Sequence, residues 1–597
     1  MTAQEIRPSQ FITTYGVGAI IETTEGPQLI PSFRQSRLFQ AQGVRGRVPL
    51  IDFEIMEPRL STRLIEGMLG APIPRGLLIF RLPSNAELQL SEHQIAYRTI
   101  PFPRWGHCEL HQIIYSPSGV PPTGCPRCTP HPANEVASKA RREAVRFVRA
   151  CKNGHLDEVP WKELVHQGRD NCQGLAYSWV GAGGGLKNVE LVCLECGGRE
   201  NFGKAYLTRW ICSGRLAEDL AAAPDRCTAL AEITQRLATN LRLADTVSVL
   251  TIPPTDGPIH RMLLQSGLYR HTIAVTVSSK DQLLRAAERL VERQLLDPVV
   301  LNNLRLKNEG EILHALEDLD EIQQHGSGST SAEVKAHELR ELQKASQFGH
   351  MGAPGDASDF EVDNHDVQRV TSPGGLGFRI TPVKRLRVVT VQTGYRRLTS
   401  DPDNSRPVET SIQAEDGRLG LPGVEVYGEG LFIDLPDSTE PFPRSGPVRS
   451  SWESDPRRND QVLWPEYIWW HTFSHRLINA LAVDSGYSAT SIRERVYARL
   501  SSHPNGPPGG ILLFTSQPGS DGSLGGLVAQ APRFSQVVDS AIDSIDECSN
   551  DPLCADSRFV HGKANGAACY ACELVSETAC EARNRGLDRN LLLESPP

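Results

Sequence analysis

Cysteines and a histidine at short spacings are the clearest sign of chemistry in this sequence. Two residues separate Cys108 from His111, a stretch of 13 follows, and two residues separate Cys125 from Cys128. Each short pair presents two ligands from one turn, and the loop between the pairs lets the two turns face each other around a tetrahedral zinc ion. The pattern predicts a structural zinc site at these four positions.

A second short pair, Cys193 and Cys196, is followed by two glycines that permit a tight turn. We predict that Cys212 and Cys227 complete this site, although 14 residues separate them. The same region holds three further candidate ligands: Cys151, His155 and Cys172. They could form half of a third site, replace a ligand of the second, or pack in a core, and the sequence leaves these alternatives open.

A third set lies near the C-terminus. Five residues separate Cys548 from Cys554, 14 more lead to Cys569, and Cys572 follows after two. Cys580 is a fifth candidate that could replace one of the four. A thioredoxin-type pair would begin a helix directly after a strand, whereas CYAC ends a polar loop rich in cysteine. Four protein ligands close a zinc site, so the sets predict two or three structural zinc ions per chain.

Two other patterns bear on catalysis. In HTFSH, His471 and His475 lie one helical turn apart, but Thr472 stands where HExxH metalloproteases have their general base. Packed histidines are therefore favoured over the alternative, a metal-dependent hydrolase or nuclease with a remote acid such as Asp521. GAGGGLKN lacks the glycine before the lysine and the Ser or Thr after it that a phosphate loop requires. We predict no catalytic residue and no enzymatic activity.

Composition limits the possible partners. The chain has 597 residues, too many for one core, so three to five domains are expected. Its net charge of −9 gives no overall basis for binding nucleic acid, so such contacts need local patches or a partner. Two basic stretches, KARREAVRFVR and VKRLRVVTVQTGYRRL, are the candidates. The residues in question are Lys139, Arg141, Arg142, Arg146, Arg396 and Arg397.

The N-terminus does not have the pattern of a secretory signal, because MTAQEIRPSQFITTYGVGAII has no basic region before an uninterrupted apolar run. No run of about 18 apolar residues is present. A cytoplasmic protein is therefore expected, and a reducing cytosol disfavours structural disulfides. This supports metal ligation for most of the 14 cysteines.

The elements that must position these residues form five predicted segments of an α+β chain. They are a β-rich domain at 1–100, zinc-ribbon-like modules at 101–230, a helical region at 231–346, a β-rich segment with flexible linkers at 347–455 and a mixed α/β domain with the last cysteine cluster at 456–597. Helices are predicted in SKDQLLRAAERLVERQLL, EGEILHALEDLDEIQQH and WPEYIWWHTFSHRLINALAV. Strands are predicted at GVGAII, GLLIFRL, VKRLRVVTVQTGYRRL, GVEVYGEGLFIDL and ILLFTS.

Several stretches together resemble the DrmB family, core subunits of the bacterial DISARM antiphage systems. They are IRPSQFITTYGVGAI, CKNGHLDEVPW, VQTGYRRL, HTFSHRL, GSDGSLGGL, CSNDPLC and NGAACYACELVSETACEARNRGLDR. These stretches follow one another in the family's order over most of the chain, and none is a catalytic motif.

The resemblance implies a helicase-associated C-terminal domain whose zinc ligands are Cys548, Cys554, Cys569 and Cys572. It also implies a partner, the helicase-like ATPase DrmA, with which DrmB proteins engage invading DNA. This sequence departs from the family in having His111 where a cysteine is usual, a change that zinc tolerates. We therefore expect a non-catalytic, zinc-stabilised subunit that docks on the ATPase as a heterodimer and helps to bind or screen DNA.

Overall fold

The structure is a computed structural model of the chain. It describes residues 6–33, 50–57, 59–60, 65–66, 69–73, 75–88, 97–116, 125–128, 143–167, 172–181, 185–219, 222–252, 258–269, 277–321, 331–351, 358–399, 405–414, 416–436, 446–457, 460–498, 509–515, 525–543, 545–556, 564–577, 579–594 and 596–597.

Helices are concentrated in the middle of the chain and around HTFSH. The described α-helices are α1 Pro8–Thr13, α2 Trp161–His166, α3 Phe202–Leu207, α4 Pro258–Gln265, α5 Lys280–Glu292, α6 Pro298–Leu306, α7 Glu309–Glu321, α8 Ser331–Phe348, α9 Pro447–Glu453, α10 Pro465–Asp484, α11 Phe534–Ile542 and α12 Arg589–Glu594.

Strands are mostly short in the first half of the chain and longer afterwards. The described strands are β1 Ile20–Thr23, β2 Gly26–Leu29, β3 Leu77–Arg81, β4 Ile100–Pro101, β5 Gly106–Cys108, β6 Ile113–Tyr115, β7 Glu143–Ala144, β8 Phe147–Cys151, β9 Leu156–Asp157, β10 Ala176–Val180, β11 Glu190–Cys193, β12 Arg199–Asn201, β13 Trp210–Ile211, β14 Leu230–Gln235, β15 Leu243–Thr251, β16 Phe360–Val362, β17 Gln368–Thr371, β18 Gly377–Arg396, β19 Val408–Glu409, β20 Ile412–Gln413, β21 Leu419–Asp434, β22 Ile492–Tyr497 and β23 Gly510–Thr515.

The chain divides into two compact units, each built from three segments that are far apart in sequence. Unit 1 comprises Met1–Glu54, Arg75–Val247 and Val391–Val424. Unit 2 comprises Ile55–Pro74, Ser248–Thr390 and Glu425–Pro597. The α+β multidomain class predicted from the sequence is confirmed, whereas the finer division into five segments stays a prediction.

Unit 1 contains three small antiparallel sheets that carry most of the cysteines. Their strand orders are β1-β2-β4, β12-β11-β10-β6-β5-β7 and β13-β14-β8-β9. An aromatic core supports the second and third sheets, with the rings of Phe147 and Phe202 centred 4.8 Å apart and Trp161 stacked on Phe202 at 5.7 Å. Such a core fixes where strands end, and several cysteines stand at or next to those ends.

The helical part of unit 2 follows its sequence pattern. Ser279 caps α5 by accepting a hydrogen bond from the backbone N–H of Gln282, and Leu283, Ala287 and Leu290 form the buried stripe of the helix. Helices α4 to α7 share one core of leucine, isoleucine and alanine side chains. Expected helices therefore form in this region because capping and periodicity agree.

The remainder of unit 2 is built around α10, which is buried on all of its faces over most of its length. Trp469, Trp470 and Phe473 belong to one core with residues of β22, β23 and α11. β22 pairs with β23, and β23 pairs with residues 430–434 of β21, both in antiparallel register. A helix without an exposed face can hold polar side chains away from water, which matters for HTFSH.

The segment 347–455, which was expected to contain flexible linkers, has regular structure near both of its ends. Helix α9 lies near its C-terminal end, and β16 lies near its N-terminal end, where it pairs with β18. In the part of the chain that the structure describes, no helix combines the length and the apolar character needed to cross a membrane.

Candidate metal centres

Five groups of four side chains in the described residues bring their donor atoms within 4.8 Å of one another. We name four of them by chain order: centre 1 (Cys108, His111, Cys125, Cys128), centre 2 (Cys151, His155, Cys212, Cys227), centre 3 (His166, Cys172, Cys193, Cys196) and centre 4 (Cys548, Cys554, Cys569, Cys572). The fifth, called the buried cluster, consists of His471, His475, Glu494 and Cys580. Together the five groups contain all 14 cysteines of the chain.

Centre 1 brings together the four residues that the sequence pattern grouped. Cys108 ends β5, His111 lies in the turn before β6, and a turn joins Cys125 to Cys128 through a backbone hydrogen bond of 3.0 Å. The Nδ1 atom of His111 lies 3.6 Å from the sulfur atoms of Cys108 and Cys125 and 3.4 Å from that of Cys128. One imidazole nitrogen therefore faces three thiols.

Centre 2 uses two residues that sequence reasoning left unassigned. Cys151 ends β8, and its sulfur lies 3.4 Å from Nδ1 of His155, 3.5 Å from the sulfur of Cys212 and 4.0 Å from that of Cys227. The other imidazole nitrogen of His155 lies 3.5 Å from a carboxylate oxygen of Asp225. A carboxylate on the far side of the ring is the usual partner that orients a metal-binding histidine.

Centre 3 adds a ligand that no motif indicated, His166, the last residue of α2. Its Nδ1–H donates to the carbonyl oxygen of Lys162 at 2.9 Å, which leaves the lone pair on Nε2. That Nε2 atom is buried without a hydrogen-bond partner. The sulfur atoms of Cys172 and Cys193 lie 3.7 Å apart. A buried imidazole acceptor beside three thiols has the composition of a zinc ligand set.

The prediction that Cys193 and Cys196 share a site with Cys212 and Cys227 is therefore wrong. Strand pairing separates the two pairs of cysteines. Cys193 lies opposite Tyr177 in the β10–β11 pair, and Cys172 lies shortly before β10 in the chain. Cys212 and Cys227 lie in the connection between β13 and β14, and β14 pairs with β8, which ends at Cys151. These are long-range pairings, which spacing along the chain does not reveal.

Centre 4 brings together the four C-terminal cysteines, in the chain between α11 and α12. The sulfur atoms of Cys548 and Cys569 lie 3.4 Å apart, those of Cys554 and Cys572 lie 3.8 Å apart, and 3.7 Å separates those of Cys569 and Cys572. Burial opposes ionisation of Cys569, yet hydrogen bonds from Asn550 and from a backbone N–H lower the pKa of this thiol to about 6. A thiolate is therefore accessible near neutral pH, and thiolate is the form that binds zinc.

The donor atoms of these four centres fit zinc. Tetrahedral zinc with zinc–sulfur bonds of about 2.3 Å places its sulfur ligands about 3.8 Å apart, close to the distances above. Backbone N–H groups donate to several of these sulfur atoms, for example from Gly198 to Cys196 at 3.4 Å and from Gly214 to Cys212 at 3.3 Å. Each set has four protein donors and no open position, which is the structural rather than the catalytic pattern.

The buried cluster lies in the core of unit 2. His471 and His475 project from α10, Glu494 from β22, and Cys580 from the loop before α12; none is more than slightly exposed. Burial raises the pKa of a carboxyl, but the two imidazoles outweigh this and hold the pKa of Glu494 well below its usual range. Both histidines are buried in the core, and both also lie against the carboxylate of Glu494.

The buried cluster gives no support to the hydrolase alternative. The side chains of His471 and His475 are 0% exposed, so in the described residues neither histidine presents a surface to a substrate. Asp521, the remote acid of that alternative, lies outside the described residues. Cys580 belongs to this cluster and not to centre 4, so it does not replace one of the four C-terminal cysteines.

The basic stretches divide sharply by exposure. Lys139, Arg141 and Arg142 lie outside the described residues, whereas the side chain of Arg146 is 73% exposed and lies 3.8 Å from Glu143. The side chain of Arg397 is 0% exposed, so its assignment to nucleic-acid contact is wrong.

The neighbouring arginine is also largely committed. The side chain of Arg396 is 14% exposed, pairs with Asp245 at 2.9 Å and donates to Ser405. Of the six basic residues, Arg146 is the one that the described structure leaves available to a phosphate.

Comparison with known proteins agrees with this architecture. Residues 7–243 match a family model described as a domain of unknown function, DUF8724, and residues 473–573 match the MrfA Zn-binding domain. The second match contains all four cysteines of centre 4. The chain is 27% identical over 481 residues to the DISARM protein DrmB of Bacillus paralicheniformis, a match that covers 75% of this chain and 80% of that protein.

A likeness to a solved structure is weak. The crystal structure of the DUF1998 helicase MrfA bound to DNA aligns with 32% of this chain and 22% of its own, at 13% identity and a TM-score of 0.18. A score this low supports no conclusion about fold or activity.

The fold and the sites define a multidomain α+β protein whose cysteines are gathered into metal centres, one of them inside a recognised zinc-binding domain. The match along most of both chains makes the chain similar to a DISARM protein DrmB, the family that its sequence motifs resemble.

Proposed function

We propose that this chain is a zinc-stabilised DISARM subunit that docks in the cytoplasm on a helicase-like ATPase of the DrmA type and helps it to bind or screen DNA. The observation that carries the proposal is the match to DISARM protein DrmB over 75% of the chain. Centres 1 to 4 agree with it, because closed zinc sites of this kind stabilise the fold of small modules with little hydrophobic core and do not take part in catalysis.

The net charge of the chain supports a complex in which the partner makes most of the contacts with DNA. Affinity for duplex DNA comes largely from Lys and Arg contacts that release counterions, and a net charge of −9 opposes this in the isolated chain. Arg146 is exposed, whereas Arg396 and Arg397 are committed inside unit 1. The subunit therefore adds a few phosphate contacts, and the ATPase supplies the main DNA-binding groove.

The first experiment is co-expression with the DrmA-type ATPase of the same defence system, followed by size-exclusion chromatography. A stable one-to-one complex is expected, and the chain alone should neither hydrolyse ATP nor cut DNA. Elution of the two proteins as separate species in low and in moderate salt contradicts the docking proposal.

The second experiment measures binding of the complex to duplex DNA over a salt series. Arg146→Ala should weaken binding and lower the salt slope by about one unit without changing sequence preference. Arg305→Ala is the matched control, since Arg305 is also an exposed arginine beside a glutamate, Glu288, but lies in unit 2. Arg142→Ala belongs in the same series. If none of these variants differs from the unmodified complex, the subunit contributes structure and no phosphate contact.

A further inference from the structure

We propose that the buried cluster is a fifth zinc site, in which His471, His475, Glu494 and Cys580 tie α10, β22 and the C-terminal loop together. This inference concerns the chain itself and does not depend on the proposed function. The sequence offered part of it, through the two histidines of HTFSH, but gave no sign of Glu494.

The four donor atoms converge on one point. The Nε2 atom of His471 lies 2.8 Å from Oε1 of Glu494 and 3.1 Å from the sulfur of Cys580. The Nε2 atom of His475 lies 3.3 Å from the same carboxylate oxygen. Zinc bound to nitrogen or oxygen at about 2.1 Å places such ligands about 3.4 Å apart, so only small adjustments would admit the ion.

Hydrogen bonds on the outer side fix both imidazoles in the form that binds metal. The Nδ1–H of His471 donates to the carbonyl oxygen of Gly586 at 3.0 Å, and that of His475 donates to the carbonyl oxygen of Glu573 at 2.7 Å. Each ring then has its lone pair on Nε2, and both Nε2 atoms face the carboxylate. Backbone carbonyls in this position are typical partners of metal-binding histidines.

The other two donors are oriented in the same way. The hydroxyl of Ser474 donates to Oε2 of Glu494, which leaves Oε1 for the centre of the cluster. The backbone N–H of Asn584 donates to the sulfur of Cys580 at 3.0 Å. Such bonds stabilise a thiolate and a carboxylate that binds through one oxygen, and they leave Oε1 of Glu494 and further lone pairs of the Cys580 sulfur for the centre of the cluster.

The donor chemistry of the cluster suits a cation. Both imidazoles direct Nδ1–H outward to backbone carbonyls, so the atoms that face inward are two imidazole Nε2 atoms, a carboxylate oxygen and a sulfur. Unpaired negative charge in a core is costly, and a divalent cation balances one carboxylate and one thiolate. Imidazole, thiolate and carboxylate in a closed set of four suit zinc.

The proposed site is linked to centre 4 through the backbone. Glu573, whose carbonyl accepts from His475, directly follows Cys572 of centre 4. The remaining 13 cysteines all lie in centres 1 to 4, so Cys580 would otherwise be the single cysteine outside a ligand set. A metal here would hold the chain that carries centre 4 against α10.

Metal content of the whole chain tests the site. The protein is purified without a metal-affinity tag, and zinc is counted by inductively coupled plasma mass spectrometry against protein concentration. We expect five zinc ions per chain for the unmodified protein and four for His471→Gln and for Cys580→Ser. His260→Gln is the matched control, because His260 is also a buried histidine paired with a carboxylate, that of Asp318, outside all five groups; it should retain five.

The unmodified protein decides the question if the variants do not fold. X-ray absorption fine structure at the zinc edge should then give a lower average number of sulfur ligands per zinc than centres 1 to 4 alone would give, because the fifth set contributes a single sulfur. Four zinc ions with the higher sulfur number would overturn the proposal and make the cluster a network of shared protons. A folded Cys580→Ser that retains five zinc ions overturns it as well.

Discussion

Replacing Arg397 with alanine should destabilise unit 1 strongly. The guanidinium donates to the carbonyl oxygens of Gly154 at 3.0 Å, Leu241 at 2.9 Å and Gly18 at 3.2 Å, and it pairs with Glu218 at 3.1 Å. The side chain of Glu218 is 1% exposed and that of Arg397 is 0% exposed. Alanine would leave a buried carboxylate without its cation and three carbonyl groups without their donor.

The expected loss is about 3–5 kcal/mol, the usual result of breaking a buried ion pair by removing one partner. Even the lower value increases the population of the opened unit more than a hundredfold, since about 1.4 kcal/mol corresponds to a factor of ten. Lysine keeps the charge, but its compact ammonium group cannot reach four acceptors in different directions as the planar guanidinium does. Arg397→Lys should therefore fall between the alanine variant and the unmodified protein.

Hydrogen exchange measured by mass spectrometry resolves the effect by region. Peptides from β8 and β14 should lose protection in Arg397→Ala, whereas peptides from α10 in unit 2 serve as an internal reference. Arg146→Ala is the matched control, because its exposed pair with Glu143 should contribute at most about 1 kcal/mol. A change of less than about 1 kcal/mol in β8 for Arg397→Ala, or an equal loss in α10, would refute the reasoning.

Three further predictions can be checked on the same protein. The double variant Cys193→Ser with Cys212→Ser should lose two zinc ions, because the residues lie in centres 3 and 2; loss of a single ion would restore the grouping taken from the sequence. Replacing Cys125 and Cys128 with serine should remove one zinc ion and unfold β5 and β6, since structural zinc contributes on the order of 10 kcal/mol to folding of small modules; an unchanged melting temperature and zinc count would contradict this. Burial raises the pKa of Glu158 from 4.5 to about 7, so the folded state binds this proton more tightly; its contribution to stability is complete below about pH 4.5 and is lost as pH rises through 7. Glu158→Gln should therefore stabilise unit 1 relative to the unmodified protein by up to about 3 kcal/mol at pH 8, with the difference shrinking toward pH 5, and a difference that does not vary with pH contradicts the assignment.

The spacing and periodicity of residues were sufficient to predict those ligand sets and elements that lie within one short stretch of the chain. Centres 1 and 4 each consist of two short pairs around a loop, and their residues are those that the spacing indicated. Helices α5, α7 and α10 likewise form in the stretches whose periodicity favoured them, and strands β18 and β21 overlap theirs but begin before residues 383 and 423. In these places the pattern that predicts the element lies within the element itself.

Pairing between distant segments is what the sequence did not reveal. Centre 2 depends on the pairing of β8 with β14, which brings Cys151 next to cysteines more than 60 residues further along the chain. Centre 3 needs His166, whose position at the end of a short helix carries no motif. Glu494 was missed for the same reason, since it lies in a strand with no neighbouring ligand in sequence.

Arg397 also explains what several of the family-like stretches do in unit 1. Gly18 belongs to IRPSQFITTYGVGAI, Gly154 to CKNGHLDEVPW and Arg397 to VQTGYRRL, and the guanidinium joins all three. Gly154 stands between Cys151 and His155 with a φ of +87°, so the turn that presents two ligands of centre 2 is held by this arginine. Arg397, which the sequence offered as a nucleic-acid contact, therefore supports the turn of centre 2 from within unit 1, and its loss should release zinc from centre 2 before it changes any contact with DNA.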